Sequence, residues 1–217
     1  MSASFSWEAF EKIPVVGILR NMPPQHLHHL AAVFLDAGLS TLEITMNSAG
    51  ATETISSLVK TFGDRLNIGA GTVCTLQDLD QALDAGAQFI VTPVLKKSII
   101  KACVKKKVPV FPGAYTPTEI YKAWELGASM VKVFPAGQLG SSYIKEVLAP
   151  LDHIKLLPTG GIDQHNFTEF LGAGASGLGM GSHLVPRLMV EKEQWDELRA
   201  HLDVFVDKFQ RFRQKPV

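Results

Sequence analysis

Residues 155–182 read KLLPTGGIDQHNFTEFLGAGASGLGMGS: two short apolar stretches, each running into glycines, with a helical stretch between them. Gly160-Gly161 follow the first apolar stretch, and Gly179-Met180-Gly181-Ser182 end the second. In an open doubly wound α/β sheet the glycine-rich turn normally follows the first strand. Here the glycines come at the end of a series of strands, which favours a closed (β/α)8 barrel.

Six further stretches upstream have the same strand-like character, and segments with helical spacing lie between them. The first ends in Arg20-Asn21-Met22, without a glycine-rich turn. This alternation predicts the α/β class. We expect a single (β/α)8 TIM-barrel domain over residues 1–217, with a short N-terminal helix and an amphipathic C-terminal helix. The eight predicted strands cover residues 15–20, 41–46, 67–73, 88–93, 108–114, 130–135, 155–161 and 176–182.

The composition narrows the class of protein. Of the 217 residues, 46% are hydrophobic and 19% are charged, which permits a sizeable core and argues against general disorder. The chain has 21 Lys plus Arg residues and 21 Asp plus Glu residues, so its net charge is zero. It therefore lacks the overall positive charge that would predict nucleic-acid binding. No apolar stretch reaches the ~18 residues of a membrane span, and the first residues lack a signal-peptide pattern. With only two cysteines, we expect a soluble cytoplasmic protein without a disulfide framework.

Lys132 is the strongest candidate for chemistry, in the stretch MVKVFP at residues 130–135. Side chains alternate along a strand, so Lys132 points into the barrel if Val131 and Val133 pack beneath the helices. Burial disfavours the ammonium and lowers its pKa. A neutral amine in an apolar setting is what Schiff-base formation with a ketone requires. The alternatives are a lysine at a strand edge and a structural ion pair with an inward carboxylate.

Glu43 is the candidate partner of Lys132. Thr41, Glu43, Thr45 and Asn47 share one face of the second predicted strand, and Leu42, Ile44 and Met46 share the other. A polar face on an otherwise apolar strand predicts that Glu43 enters the interior as Lys132 does. A positioned carboxylate suits the proton transfers of carbinolamine formation, dehydration and C–C cleavage. The alternative is that Glu43 only neutralises Lys132, because a buried charge is rarely left unpaired.

The glycines after the last two strands match the position at which TIM barrels bind phosphate. Gly160, Gly161 and Gly181 let backbone N–H groups approach a dianion closely, and Ser182 adds a hydroxyl donor at the start of the next helix. The alternative is a pair of tight strand-to-helix turns without a ligand.

Three other features have simpler interpretations. The histidines at 26, 28 and 29 have no accompanying carboxylates or cysteines, so no metal site is predicted. The lysine run within residues 96–107 is typical of a solvated helix face. Cys74 lies near the predicted active rim without a histidine partner, and we expect it to take no part in the chemistry.

Seven motifs, taken in order over about residues 10–190, resemble those of the 2-keto-3-deoxy-6-phosphogluconate / 4-hydroxy-2-oxoglutarate (KDPG/KHG) aldolases. They are LEIT (42–45), GAGTV (69–73), FIVTP (89–93), PG (112–113), KVFPA (132–136), PTGG (158–161) and GS (181–182). The resemblance implies a metal-independent class I aldolase, which is an aldehyde-lyase without a separate cofactor, on a (β/α)8 barrel and usually as a homotrimer. By position it implies that Lys132 forms the Schiff base and that Glu43 is the general acid/base. It further implies a pyruvate end lined by Thr72, Pro93 and Phe134, and a phosphate site at Gly160, Gly161 and Ser182.

One motif departs from the family pattern. In the gluconate-type enzymes the second strand runs on to an arginine that holds the substrate carboxylate, whereas this chain has Met46-Asn47-Ser48. An Asn-Ser pair at this place is similar to the galactonate branch, which acts on the C4 epimer. Arg20 is similar to an arginine that many members carry at the end of the first strand, and it can supply a bidentate carboxylate contact. The departure leaves the reaction type intact and opens the question of the preferred epimer.

The sequence therefore predicts retro-aldol cleavage of a 2-keto-3-deoxy-6-phospho sugar acid, of the 6-phosphogluconate or 6-phosphogalactonate type. The products are pyruvate and glyceraldehyde 3-phosphate, and the expected partners are these small molecules rather than nucleic acid or membrane. Three alternatives stay open: 4-hydroxy-2-oxoglutarate as the main substrate, a phosphosugar isomerase or epimerase with Glu43 as the enolising base, and a non-catalytic barrel that binds phosphometabolites.

Overall fold

The computed structural model describes residues 4–214, so residues 1–3 and 215–217 of the predicted domain lie outside the description. Within that range the strands are β1 (Val15–Leu19), β2 (Thr41–Thr45), β3 (Asn67–Gly71), β4 (Ile90–Val91), β5 (Val110–Phe111), β6 (Gly113–Ala114), β7 (Val131–Val133), β8 (Leu156–Pro158) and β9 (Leu178–Met180). The helices are α1 (Trp7–Lys12), α2 (Leu27–Asp36), α3 (Ala51–Phe62), α4 (Leu76–Asp84), α5 (Lys97–Lys106), α6 (Pro117–Glu125), α7 (Gly140–Leu148), α8 (Phe167–Gly172), α9 (Arg187–Glu191) and α10 (Trp195–Arg213), with a 3-10 turn at Pro24–His26. The paired strands run parallel, and the predicted α/β class is confirmed.

The parallel sheet is curled and its strands follow one another in two series. One series has the order β5-β4-β3-β2-β1-β9 and the other β6-β7-β8. A single residue, Pro112, separates β5 from β6. Proline has no N–H to donate to a ladder, so the strand pairing is interrupted there. The fifth predicted strand is therefore divided in two. A parallel bridge between Thr159 and Gly179 links the end of β8 to β9, and the Ser176 N–H donates to the Leu156 carbonyl at 2.9 Å.

The apolar side chains of the strands pack in two clusters, one on each side of the sheet. The larger cluster lies between the sheet and the helices and includes Leu42, Ile44, Val131 and Val133. The smaller one lies on the inner side of the curled sheet. It is formed by Phe5, Phe10, Val16, Phe89, Val91, Phe111, Met130 and Leu157. Because side chains alternate along a strand, the residues between members of the larger cluster face inward.

Aromatic rings fill the inner side near its amino end. The Phe5 ring lies 5.3 Å from that of Phe89 and 6.1 Å from that of Phe111, between ring centroids. Next to Phe5, the Ser6 hydroxyl caps α1 by accepting the Ala9 N–H at 3.2 Å. This end is closed by packing, so the polar inward residues nearer the carboxyl ends of the strands are the ones that can meet a ligand.

The C-terminal helix α10 is amphipathic and packs on α2 through its apolar face. Its buried residues are Leu198, Leu202, Phe205, Val206 and Phe209. Among residues 4–214, no helix is both long and apolar enough to cross a membrane.

Candidate active site

A cavity of about 360 Å³ opens at the carboxyl ends of β1, β7, β8 and β9. Ligands of parallel α/β folds bind at this end of the strands. Its lining includes seven of the residues singled out in the sequence, namely Arg20, Lys132, Phe134, Gly160, Gly161, Gly181 and Ser182.

Lys132 lies in the middle of β7 and lines the cavity with only 5% of its surface exposed. Its neighbours Val131 and Val133 pack in the cluster beneath the helices, so the lysine faces inward. Burial lowers the pKa of Lys132; the charge of Glu43 acts in the opposite direction, and that of Arg20 in the same direction. A pKa lowered in this way increases the fraction of neutral, nucleophilic amine near neutral pH.

Glu43 lies in the middle of β2 and is 1% exposed. Burial raises the pKa of its carboxyl group, and the charges of Lys132 and Arg20 oppose this rise. Gly71 on the adjacent strand is needed to make room, because a Cβ there would overlap the Glu43 carboxylate. The packing therefore holds this carboxyl group in one place, electrostatically coupled to Lys132.

The polar side chains on the inner face of β2 differ in their hydrogen bonds. Thr41 accepts from the Asn67 side-chain amide at 3.1 Å, and the Thr45 hydroxyl bonds to that of Ser48 at 2.9 Å. By contrast, Oε1 of Glu43 is buried and has no hydrogen-bond partner among residues 4–214. A buried, unsatisfied carboxylate oxygen is unfavourable for folding. This arrangement is expected for a group that exchanges protons with a ligand.

The two glycine loops are built differently. Gly160 and Gly161 have φ values of +87° and +74°, which favour glycine, and a Cβ on Gly161 would lie 2.8 Å from the Gly137 Cα. Tight-turn geometry is thus enough to explain these two glycines. Gly181 is different, because a Cβ there would have the Ile18 carbonyl oxygen, at 3.8 Å, as its nearest neighbour. The missing side chain at Gly181 leaves open space in the cavity.

We expect Gly181→Ala to fold like the wild type but to bind a phosphorylated ligand more weakly. The added methyl group meets no protein atom closely, yet it keeps a phosphate from approaching the backbone. The loss of one charge-assisted hydrogen bond corresponds to an increase of about 10-fold or more in KM. Thermal unfolding and steady-state kinetics test this. Gly161→Ala is the control for stability, because its strained φ should lower the Tm, which Gly181→Ala should leave unchanged. Equal Tm losses in both variants would contradict the assignment of Gly181.

Three predicted substrate contacts do not line the cavity. Asn47 is exposed in the turn after β2, and Pro93 is half-buried after β4. Thr72 is half-buried after β3, with a φ of +55°. All three follow strands at the same end of the sheet as the cavity, and their contacts with substrate stay predictions.

Two basic side chains of the cavity, His183 and Arg187, were not among the predicted site residues. Both come within five residues of Ser182. Following the glycine cluster into the next turn would have found them, since the loops after the last strands carry the ligand groups of this architecture.

The histidines near the N-terminus pack against other elements. The His29 ring stacks on that of Trp195 at 4.2 Å, His26 Nε2 lies 3.7 Å from the Glu193 carboxylate, and His28 bonds to the Ser57 hydroxyl. Among residues 4–214, no group of three or more His, Cys, Asp or Glu side chains is arranged to hold a metal ion.

Comparison with known proteins identifies the family. The family model for KDPG and KHG aldolases matches residues 7–201. The chain belongs to the KDPG and KHG aldolase family. It is 38% identical over 175 residues to the 2-dehydro-3-deoxy-6-phosphogalactonate aldolase of Escherichia coli K12, covering 80% of this chain and 85% of the relative.

Two solved structures of this aldolase family are similar over nearly the whole chain. A native KDPGal structure has a TM-score of 0.87 and 32% identity, with 98% of this chain and 100% of that chain covered. A KDPG aldolase from Legionella pneumophila has a TM-score of 0.84 and 27% identity, with 91% and 96% covered. The Legionella crystal structure holds pyruvate captured at low pH as a covalent carbinolamine intermediate.

Proposed function

We propose that the protein is a class I aldolase that cleaves a 2-keto-3-deoxy-6-phospho sugar acid to pyruvate and glyceraldehyde 3-phosphate. The observation that carries this proposal is that Lys132 faces inward at the wall of a cavity. Burial lowers the pKa of Lys132, and its charge interacts with that of the buried Glu43. The pyruvate carbinolamine in the Legionella relative supports it, since that intermediate precedes a Schiff base.

The mechanism uses Lys132 as nucleophile and Glu43 as proton carrier. The neutral amine adds to the C2 ketone, and the Glu43 carboxyl group gives a proton to the departing hydroxyl, so that water leaves and a protonated imine remains. The Glu43 carboxylate then takes the proton of the C4 hydroxyl. The C3–C4 electron pair moves into the iminium, and glyceraldehyde 3-phosphate departs. Glu43 returns the proton to C3 of the enamine, which restores a protonated imine. Water hydrolyses this imine to pyruvate and neutral Lys132, and the proton released goes to the Glu43 carboxylate.

The remaining cavity residues are proposed to bind the two ends of the substrate. Arg20 holds the carboxylate, and Phe134, with its ring centroid 5.1 Å from Lys132 Nζ, packs beside the pyruvate portion. Gly181 and Ser182, together with Gly160 and Gly161, bind the phosphate. Binding the phosphate far from the broken bond orients the reacting carbons.

The proposed architecture is a closed (β/α)8 barrel in a single domain. Treating β5 and β6 as one strand interrupted at Pro112 gives eight strands, and the Thr159–Gly179 bridge supports closure between the end of β8 in one series and β9 in the other. The homotrimer is proposed from the family resemblance alone. The cytoplasmic location is proposed because Cys74 and Cys103 are free thiols, which suits a reducing compartment.

Incubation with pyruvate and borohydride tests the proposed function. We expect intact mass to show one reduced pyruvate adduct per chain, and peptide mapping to place it on Lys132. Lys155→Met is the matched control, because Lys155 is an exposed lysine beside β8 and its loss should leave the adduct in place. A folded wild-type protein without an adduct would instead favour an isomerase or a binding protein.

A further inference from the structure

The cavity has more basic side chains than the proposed reaction uses. Its described lining contains Arg20, Lys132, His183 and Arg187, and no aspartate or glutamate among those residues. Arg20 and Lys132 serve the carboxylate and ketone end in the proposed function. His183 and Arg187 belong to the same stretch as Gly181 and Ser182, at the other end of the substrate. Two basic side chains at the phosphate end therefore have no role assigned yet.

Arg187 is held in a defined orientation by its neighbour on α9. Its Nε donates to Glu191 Oε1 at 2.7 Å, and the side chains are 54% and 38% exposed. An exposed pair of this kind adds little to stability. The bond uses only one edge of the guanidinium, while the terminal nitrogens are the groups that form bidentate contacts with phosphate oxygens.

The loop that carries His183 is fixed on two sides. The Leu184 and Val185 N–H groups both donate to the Gly181 carbonyl, at 2.9 and 3.0 Å. On the other side, His201 of α10 donates from Nε2 to the His183 carbonyl at 2.9 Å. Because the backbone is held in this way, the side chains that follow Gly181 keep their positions beside the cavity without a ligand.

We propose that Arg187 forms a cationic wall of the phosphate subsite, which His183 also lines, and that Arg187 selects a dianionic phosphate ester over an unphosphorylated 2-keto acid. This inference rests on the proposed function. A guanidinium at this wall is able to form charge-assisted, bidentate hydrogen bonds with a doubly charged phosphate, which neutral Gly and Ser donors alone do not match. The cavity is accordingly specific for phosphorylated substrates, and 4-hydroxy-2-oxoglutarate is a poor one.

The test compares Arg187→Gln with Arg199→Gln. Arg199 is a matched control on α10, because its Nε donates to Asp203 Oδ1 at 2.8 Å with i,i+4 spacing and similar exposure, away from the cavity lining. Titration with inorganic phosphate, followed by 31P NMR, and steady-state kinetics are measured for both. We expect Arg187→Gln to weaken phosphate binding and to raise KM for the phosphorylated substrate by about 10-fold or more. Arg187→Lys should recover part of both, and Arg199→Gln should match the wild type.

The rate of pyruvate adduct formation separates this inference from the proposed function. Pyruvate has no phosphate, so Arg187→Gln should form the borohydride-trapped adduct as fast as the wild type. Phosphate affinity in Arg187→Gln equal to that in Arg199→Gln would overturn the role of Arg187. A wild type that forms no adduct overturns the aldolase, whereas weaker phosphate binding in Arg187→Gln alone would still support the phosphate site.

Discussion

Lys132→Met abolishes both cleavage and the pyruvate adduct while the protein stays folded. Without the amine the covalent route is lost, and we expect the rate to fall by on the order of 10⁴-fold or more. Met has a similar length and an apolar side chain, and Val131 and Val133 on either side pack in the cluster beneath the helices. Cleavage assays, borohydride trapping and thermal unfolding measure the three quantities. Appreciable residual cleavage by the pure variant would contradict the assignment of Lys132 as the Schiff-base lysine.

The same variant should change how stability depends on pH. The Lys132 charge lowers the pKa of Glu43, so its removal lets burial raise that pKa further. A carboxyl group whose pKa is raised in the folded state contributes stability below its unfolded pKa, and this is lost as pH rises through the folded pKa. Lys132→Met should therefore lose stability from acid toward neutral pH. The double variant with Glu43→Gln should lack this slope.

The inward direction of Lys132 and Glu43 could be predicted because it depends on local alternation. Leu42 and Ile44 pack beneath the helices, so Glu43 faces the other way, and Val131 and Val133 fix Lys132 likewise. The burial of each group follows from its place in mid-strand. Their electrostatic coupling, by contrast, depends on how β2 and β7 approach across the curled sheet, which alternation within one strand does not specify.

The residues that line the cavity could be predicted only in part. The order of the strands was clear from the sequence, but most predicted strands run past the observed carboxyl ends. The conformation of the loops depends on long-range bonds, such as that from the Asn21 N–H to the Ser48 hydroxyl at 2.9 Å. Thr72 has a positive φ, which ends the extended strand, and this could not be predicted because the residue is not a glycine. Arg187 was missed because it comes after a proline that starts a new helix, where periodicity indicates only a helix start.

Proline also explains why one predicted strand is divided in two. The stretch 108–114 is apolar throughout and predicts one strand, whereas the structure has β5 and β6 on either side of Pro112. The Pro112 carbonyl still accepts the Lys132 N–H at 2.9 Å. The missing donor interrupts the ladder while the chain direction continues.

Glu43→Gln slows cleavage by about 10²–10⁴-fold because general acid–base catalysis is lost. Pyruvate is still trapped at Lys132, but more slowly than in the wild type, because the nucleophile remains and the acid that assists dehydration is gone. The amide keeps the shape of the carboxyl group beside Gly71, so the fold is retained. The charge of Glu43 raises the pKa of Lys132, and its removal lowers that pKa further. The pH at which Lys132 becomes trappable should therefore shift downward. Trapping rates as a function of pH, together with single-turnover cleavage, measure the two effects.

Thr41→Val is the matched control for Glu43→Gln, because Thr41 is a buried polar residue on the same face of β2 with its own partner in Asn67. It should lower the Tm and leave the rate unchanged. If Glu43 only neutralised Lys132, Glu43→Gln would retain rapid cleavage, since a neutral lysine needs no counter-charge. A slow variant with a lowered Lys132 pKa is the combination that a proton carrier produces. The unsatisfied Oε1 atom is then explained by the substrate, whose hydroxyl group supplies the missing hydrogen bond.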